Sequence, residues 1–176
     1  MNVRCSEIAD MLVIEPDTSL DERGGFSVVF DADVLDAAGF SAGRLRCAIA
    51  ANLAARTLRG LHYQAEPQAE AKLVCCIRGR VHDVVVDLRR RSPTYRRHVA
   101  TELSGDRTTV LAVPPGCAHG YLTLTDDTIL LYQISSPFVA DLQRGIRWDD
   151  GGLSLAWPDR PLIISERDRT FPDHAW

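Results

Sequence analysis

Lysine is almost missing from this chain. Of the 20 lysines and arginines in its 176 residues, only Lys72 is a lysine, so arginine serves as the cation everywhere else and lysine chemistry is required at one place. No long apolar run is present, and no charged segment leads into an apolar stretch at the N-terminus. That pattern gives no transmembrane span, no membrane partner and no signal peptide, and leads to the expectation of a cytoplasmic protein. Positive charge is not in excess either: a net charge of −4 removes the broad basic surface that nucleic-acid binding needs. The five cysteines Cys5, Cys47, Cys75, Cys76 and Cys117 are odd in number and lack C-x-x-C spacing, which excludes a disulfide framework or zinc knuckle and leaves free thiols. No repeat, low-complexity tract or linker divides the chain, and its length suits a single domain over residues 1–176.

What is present is mostly strand. "KLVCCIRG" and "RVHDVVVDLR" are rich in β-branched residues and meet at Gly79, which predicts a hairpin. In the second of these, Val81, Asp83, Val85 and Asp87 share one face, which faces either solvent or a polar cavity. Further strands are expected at "HVATELS", "TTVLAVP", "GYLTLT" and "TILLYQIS", and their regular spacing predicts an all-β sandwich or barrel. Helix is confined to Asp31–Gly39 and to a turn after Ser165, whose S-x-x-D pattern places a cap over Asp168. The basic run Leu88–Arg97 reads as a solvated turn, and the segment holding Trp148 and Trp157 as a packed extension.

Four features could carry chemistry: "LRGLHYQ" with His62, the solitary Lys72, "PPGCAHGY" with His119, and Tyr132 near a strand end. "PPGCAHG" is similar to the second metal-binding motif of cupins, but where the first motif needs H-x-H the chain reads His62-Tyr63-Gln64. The usual coordination set is incomplete, so no metal is expected.

Taken in order, "RTLRGLHYQ", "KLVCCIRGRVHDVVVDLRRRSPTY", "LAVPPGCAHGYLTL", "LLYQIS", "GIRWDD" and "SERDRTFP" resemble the dTDP-4-dehydrorhamnose 3,5-epimerase family from Asp21 nearly to the C-terminus. The resemblance implies a cupin-like jelly-roll β-barrel with the site inside it, a homodimer without cofactor, and a nucleotide-diphosphate sugar as substrate. It implies that His62 abstracts a proton, that Asp168 orients it, that Lys72 stabilises the enolate and that Tyr132 reprotonates from the opposite face. An ammonium is a compact point charge, which suits an enolate oxygen better than a delocalised guanidinium does. Arg23 and Arg59 match diphosphate-binding positions, and Phe26 matches a place for stacking on the base. Gln64, His119, Phe138, Gln143 and Arg167 are implied near the substrate. Asp83 is left between supporting Lys72 or His62 and a structural partnership.

The chain departs from the family at Cys47, Ile49 and Ala51, where polar residues are usual, and at Arg56, where glycine is common and a cation is expected beside the pocket mouth. A tyrosine and a carboxylate are missing around Phe138–Gln143. Retained chemistry on an altered sugar or nucleotide follows, with a mono-epimerase, a ketoisomerase, a metal-dependent oxygenase and a non-catalytic sugar-nucleotide-binding module as alternatives.

Overall fold

The computed structural model describes residues 1–40, 43 and 46–176. In chain order its elements are β1 (Asn2–Cys5), β2 (Leu12–Glu15), β3 (Thr18–Asp21), β4 (Gly24–Ser27), α1 (Ala32–Ala37), β5 (Arg46–Asn52), β6 (Thr57–Gln64) and β7 (Lys72–Arg78). They continue with β8 (Arg80–Asp87), β9 (His98–Ser104), β10 (Val110–Val113), β11 (Cys117–Thr123), β12 (Thr128–Ile134), β13 (Gln143–Gly145), β14 (Ile163–Ile164) and α2 (Glu166–Arg169). One sheet runs β1-β2-β10-β7-β12-β5 and the other β13-β6-β11-β8-β9, with β14 alongside β6. This is the expected jelly roll. Among the described residues, no helix is long and apolar enough to cross a membrane.

Strand alternation explains why the sheets read as apolar on both faces. In β8, Val81 and Val85 enter the core between the sheets with Val74, Cys76, Leu111 and Leu130. Val84 and Val86 point the other way, where Ile146, Leu153, Trp157 and Trp176 cover them. The C-terminal third is therefore packed as expected, with Trp157 Nε1 donating to the Trp148 carbonyl at 2.8 Å. On the outer face of the other sheet, Leu35 of α1 and Phe40 pack over Leu73, Cys75 and Val110. Asp31 caps α1 by accepting from the Asp33 and Val34 amides, so the acidic start belongs outside the helix proper.

The expected hairpin at Gly79 does not form. β7 pairs with β10 and β12, β8 pairs with β9 and β11, and the two strands lie in different sheets. A single turn residue is too short for a two-residue hairpin loop, and here it carries the chain across a corner. Gly79 has φ +76°, and a Cβ there would lie 2.5 Å from Thr128 Oγ1, so a side chain would block the crossing. The first 52 residues, which lie outside the strands named from the sequence, supply β1 to β5.

The basic run is only partly a solvated turn. Asp87, fully buried, accepts from Arg89, Ser92 and Thr94. Burial alone would raise its pKa, but these hydrogen bonds hold it down at about 2. Arg89 also reaches Asp10 and the Ala9 carbonyl, which ties the loop to the N-terminal segment. Large apolar side chains stay uncovered elsewhere: Leu20 (77%) and Phe26 (73%) on the β3–β4 hairpin, and Ile49 (65%) and Leu53 (85%) on and just after β5.

Candidate active site

A cavity of about 630 Å³ opens between the two sheets, lined by side chains of β5, β6, β7, β11, β12 and the α2 region. The pairing of β6 with β11 sets His119 opposite His62. These strands approach closely at two glycines: a Cβ on Gly60 (φ +111°) would lie 2.6 Å from the Gly120 Cα. The fit leaves the Gly60 amide free to donate to Asp168 Oδ2 at 3.1 Å.

Asp168 reaches the site from far along the chain. Ser165 caps α2 by accepting from the Asp168 amide at 3.1 Å, and the parallel pairing of β14 with β6 brings that helix to the cavity. The Asp168 carboxylate is 2.6 Å from His62 Nε2. Burial pushes its pKa up, but the hydrogen bonds from His62 and the Gly60 amide outweigh this and hold it below the usual carboxylate range. An ionised carboxylate can only accept, so Nε2 carries the hydrogen and the lone pair falls on Nδ1. Phe171 lies edge-on to the imidazole at 5.9 Å and abuts Gly145, where a Cβ would meet its ring at 2.1 Å.

Lys72 and Tyr132 come from the opposite sheet. Lys72 is buried, with Nζ donating to the His62 carbonyl at 2.9 Å and lying 3.3 Å from Glu70. Burial lowers its pKa, while Glu70 and then Asp83 work to keep the ammonium. Burial raises the Tyr132 hydroxyl well above its ordinary value, and the Tyr121 hydroxyl and Asp83 add to the effect. At neutral pH this phenol keeps its proton and can only donate it. Asp83 pairs directly with neither Lys72 nor His62; it accepts from His119 Nε2 at 2.7 Å, and His119 sits edge-on to Tyr132 at 5.9 Å.

Cations gather at the cavity wall. Arg59 is aimed by Asn52 Oδ1 at 2.8 Å and by the Ala51 carbonyl at 3.2 Å, and Tyr121 donates to the same Asn52 oxygen at 3.2 Å. Arg167 lies over Phe171 at 5.6 Å and Arg46 over Phe138 at 6.0 Å. Phe138, Gln143, His119 and Arg167 all line the cavity.

Three expected contacts do not line it within this chain. Gln64 is buried and consumed by the fold: it donates to the Gln68 and Pro137 carbonyls and accepts from the Val139 amide and Gln143. Its role is to pin the segment carrying Phe138 and Gln143. Arg23 and Phe26 sit on the exposed β3–β4 hairpin, with Arg23 paired to Asp21. Arg56 is no free cation at the mouth either. It bonds the Arg160 carbonyl and Asp159, both at 2.9 Å, while its carbonyl accepts from the Leu162 amide at 2.9 Å, so it fastens the segment leading to Asp168.

Sequence reasoning missed Asn52, Arg46, Tyr121 and Glu70. Only Glu70 had a signal, since an E-x-K spacing in extended chain sets both side chains on one face. Among the described residues, no three His, Cys, Asp or Glu side chains are grouped to hold a metal ion.

Residues 5–175 match the family model described as dTDP-4-dehydrorhamnose 3,5-epimerase. A dTDP-4-dehydrorhamnose 3,5-epimerase of Sinorhizobium fredii is 39% identical over 166 residues, covering 94% of this chain and 85% of the relative. The crystal structure of the Bacillus anthracis dTDP-4-dehydrorhamnose 3,5-epimerase with TDP and PPi bound superposes with a TM-score of 0.94 at 35% identity, covering 97% of this chain and 98% of the other. ChmJ, a 3'-monoepimerase from Streptomyces bikiniensis in complex with dTDP-quinovose, gives 0.87 at 31% identity, with 95% and 85% covered.

Proposed function

Because the chain belongs to the dTDP-4-dehydrorhamnose 3,5-epimerase family and is an isomerase of that kind, we propose that it inverts C3, C5 or both in a dTDP-linked 4-keto-6-deoxy sugar, in deoxysugar biosynthesis. One observation carries the residue assignment: His62 and Tyr132 project into one cavity from opposite sheets. A sugar held between them has a base on one face and an acid on the other, as inversion of a carbon centre requires.

The neutral His62 imidazole, oriented by Asp168, takes the proton next to the ketone. Lys72 meets the charge that develops on the C4 oxygen. It does so in a buried site, where such a contact is worth far more than in water. Tyr132 returns a proton from the other face, and its raised pKa keeps it in the donating form. Arg59 and Arg167 take the diphosphate, whose oxygens suit the planar guanidinium fork, and His119, Phe138 and Gln143 bound the sugar.

The homodimer belongs to this reading. The β5 edge and the β3–β4 hairpin expose Ile49, Leu20 and Phe26, a pattern that favours burial against a second copy. Arg23 and Phe26 then serve a neighbouring cavity. A cytoplasmic setting accords with five free cysteines.

Proton NMR of dTDP-4-keto-6-deoxyglucose in deuterated water tests the reading. Deuterium is expected at C3, C5 or both, and the site of entry names the inverted carbon. Absence of exchange at both carbons, in a protein that binds dTDP, would refute it.

A further inference from the structure

Lys72 sits where an ammonium is hard to keep. Its side chain has 7% of its surface exposed, and a lysine withdrawn from water gives up its proton readily unless an anion stands beside it. A neutral amine would leave the charge that develops on the C4 oxygen uncompensated. The groups facing Lys72 therefore decide whether it can act.

Most of those groups cannot hold the charge. From β6, His62 offers Lys72 its backbone carbonyl at 2.9 Å. Asp83 of β8 is already engaged by His119 Nε2 of β11 at 2.7 Å. Cys117 of β11 stays a neutral thiol at neutral pH, because burial pushes its pKa up to about 12, and burial also keeps the Tyr132 phenol of β12 protonated. Arg46 of β5 is itself a cation. Among the described residues, Glu70 is the one carboxylate paired with Lys72, with Oε1 3.3 Å from Nζ and 5% of its side chain exposed. Its Oε2 is fully covered and has no hydrogen-bond donor, with the Arg46 guanidinium 3.8 Å away. Asp168 shares its charge with a backbone amide and an imidazole, whereas the field of Glu70 falls on two cations in a buried site, where screening is weak. The backbone carrying Glu70 is fixed by reciprocal hydrogen bonds between Ala71 and Ser135, at 2.8 and 3.1 Å. We infer that Glu70 is a positioning residue: it holds Lys72 in the ammonium form inside the cavity and thereby sets the alkaline limit of turnover. The consequence for turnover rests on the epimerase reading above.

The chain's single lysine makes the test direct. Protein grown on isotope-labelled lysine gives one Nζ and one Cε signal, both from Lys72, and NMR follows their titration without substrate. In the unaltered protein the signals should be those of an ammonium at neutral pH. In Glu70→Gln, which keeps the size but removes the charge, the titration midpoint should fall by about one pH unit or more. Glu70→Asp, which keeps the charge at a greater distance, should fall between the two. The alkaline limb of kcat for deuterium exchange into dTDP-4-keto-6-deoxyglucose should move to lower pH by the same amount as the midpoint.

An unmoved midpoint in Glu70→Gln overturns the inference, and so does a midpoint that falls while the alkaline limb stays in place. Thermal melting verifies the fold of each variant. If neither variant folds, the unaltered protein decides, because a neutral amine at neutral pH contradicts the inference outright. Failure of the epimerase reading looks different: the unaltered protein exchanges no deuterium while dTDP binds, whatever the lysine titration shows, and the consequence for turnover falls with it.

Discussion

Two histidine–aspartate pairs stand in this molecule with nearly equal separations, 2.6 Å for His62–Asp168 and 2.7 Å for His119–Asp83. They differ in what surrounds them. The His119 side chain is 4% exposed and its partner wholly buried, both on adjacent central strands, while His62 keeps 31% of its surface open. The Asp83 pair is made by strand register alone, since Tyr121 stands opposite Asp83 with His119 two residues away. The Asp168 pair depends on a four-residue helix held by β14, Ser165 and Arg56. A short hydrogen bond does not by itself make a base. Both histidines line the cavity, and the more exposed pair is the one held by a short helix outside the two sheets.

Breaking each carboxylate separates the two roles. Asp168→Asn removes the charge that fixes the His62 tautomer and supports the imidazolium, so deuterium exchange should fall on the order of 10²- to 10⁴-fold, well beyond what the stability lost with its buried hydrogen bonds to His62 and Gly60 accounts for. Asp83→Asn should instead cost about 1–3 kcal/mol of folding stability by leaving a buried pair poorly matched, and exchange should fall by less than about tenfold. Denaturant unfolding and NMR exchange on both variants check this, and the reverse assignment of effects would break the comparison.

Arg56→Gly is the gentlest of these changes. Arg56 has φ +61°, which glycine adopts without strain, but the variant loses the grip on Asp159 and Arg160. A drop of about two- to fivefold in exchange, with dTDP affinity unchanged, is expected from a slightly misplaced Asp168.

Much of this was legible in the sequence, and particular residues show where legibility stopped. The β9 segment His98–Ser104 and the capped turn at Ser165 follow from β-branched periodicity and from S-x-x-D. The sheet assignment of β7 and β8 did not follow, because both strands carry apolar residues on two faces and partners as distant in sequence as Ile134, opposite Lys72, decide the pairing. The oxygen of Asn52 that aims Arg59 left no pattern, since one amide in an alanine-rich strand carries no periodicity. Gln64 was misread for a related reason: a polar residue beside a candidate base suggests substrate contact, yet its amide is consumed by the backbone of a distant segment. Asp168 was reached only through family resemblance, because 106 residues separate it from His62.

The central claim is that the open pair supplies the base. The direct measurement is solvent-deuterium incorporation at C3 and C5 of dTDP-4-keto-6-deoxyglucose by His62→Ala, compared with the unaltered protein at equal dTDP occupancy. The account predicts a loss of at least about 10³-fold at every carbon that exchanges. Incorporation within about tenfold of the unaltered rate would contradict it and move the base elsewhere, with His119 first in line.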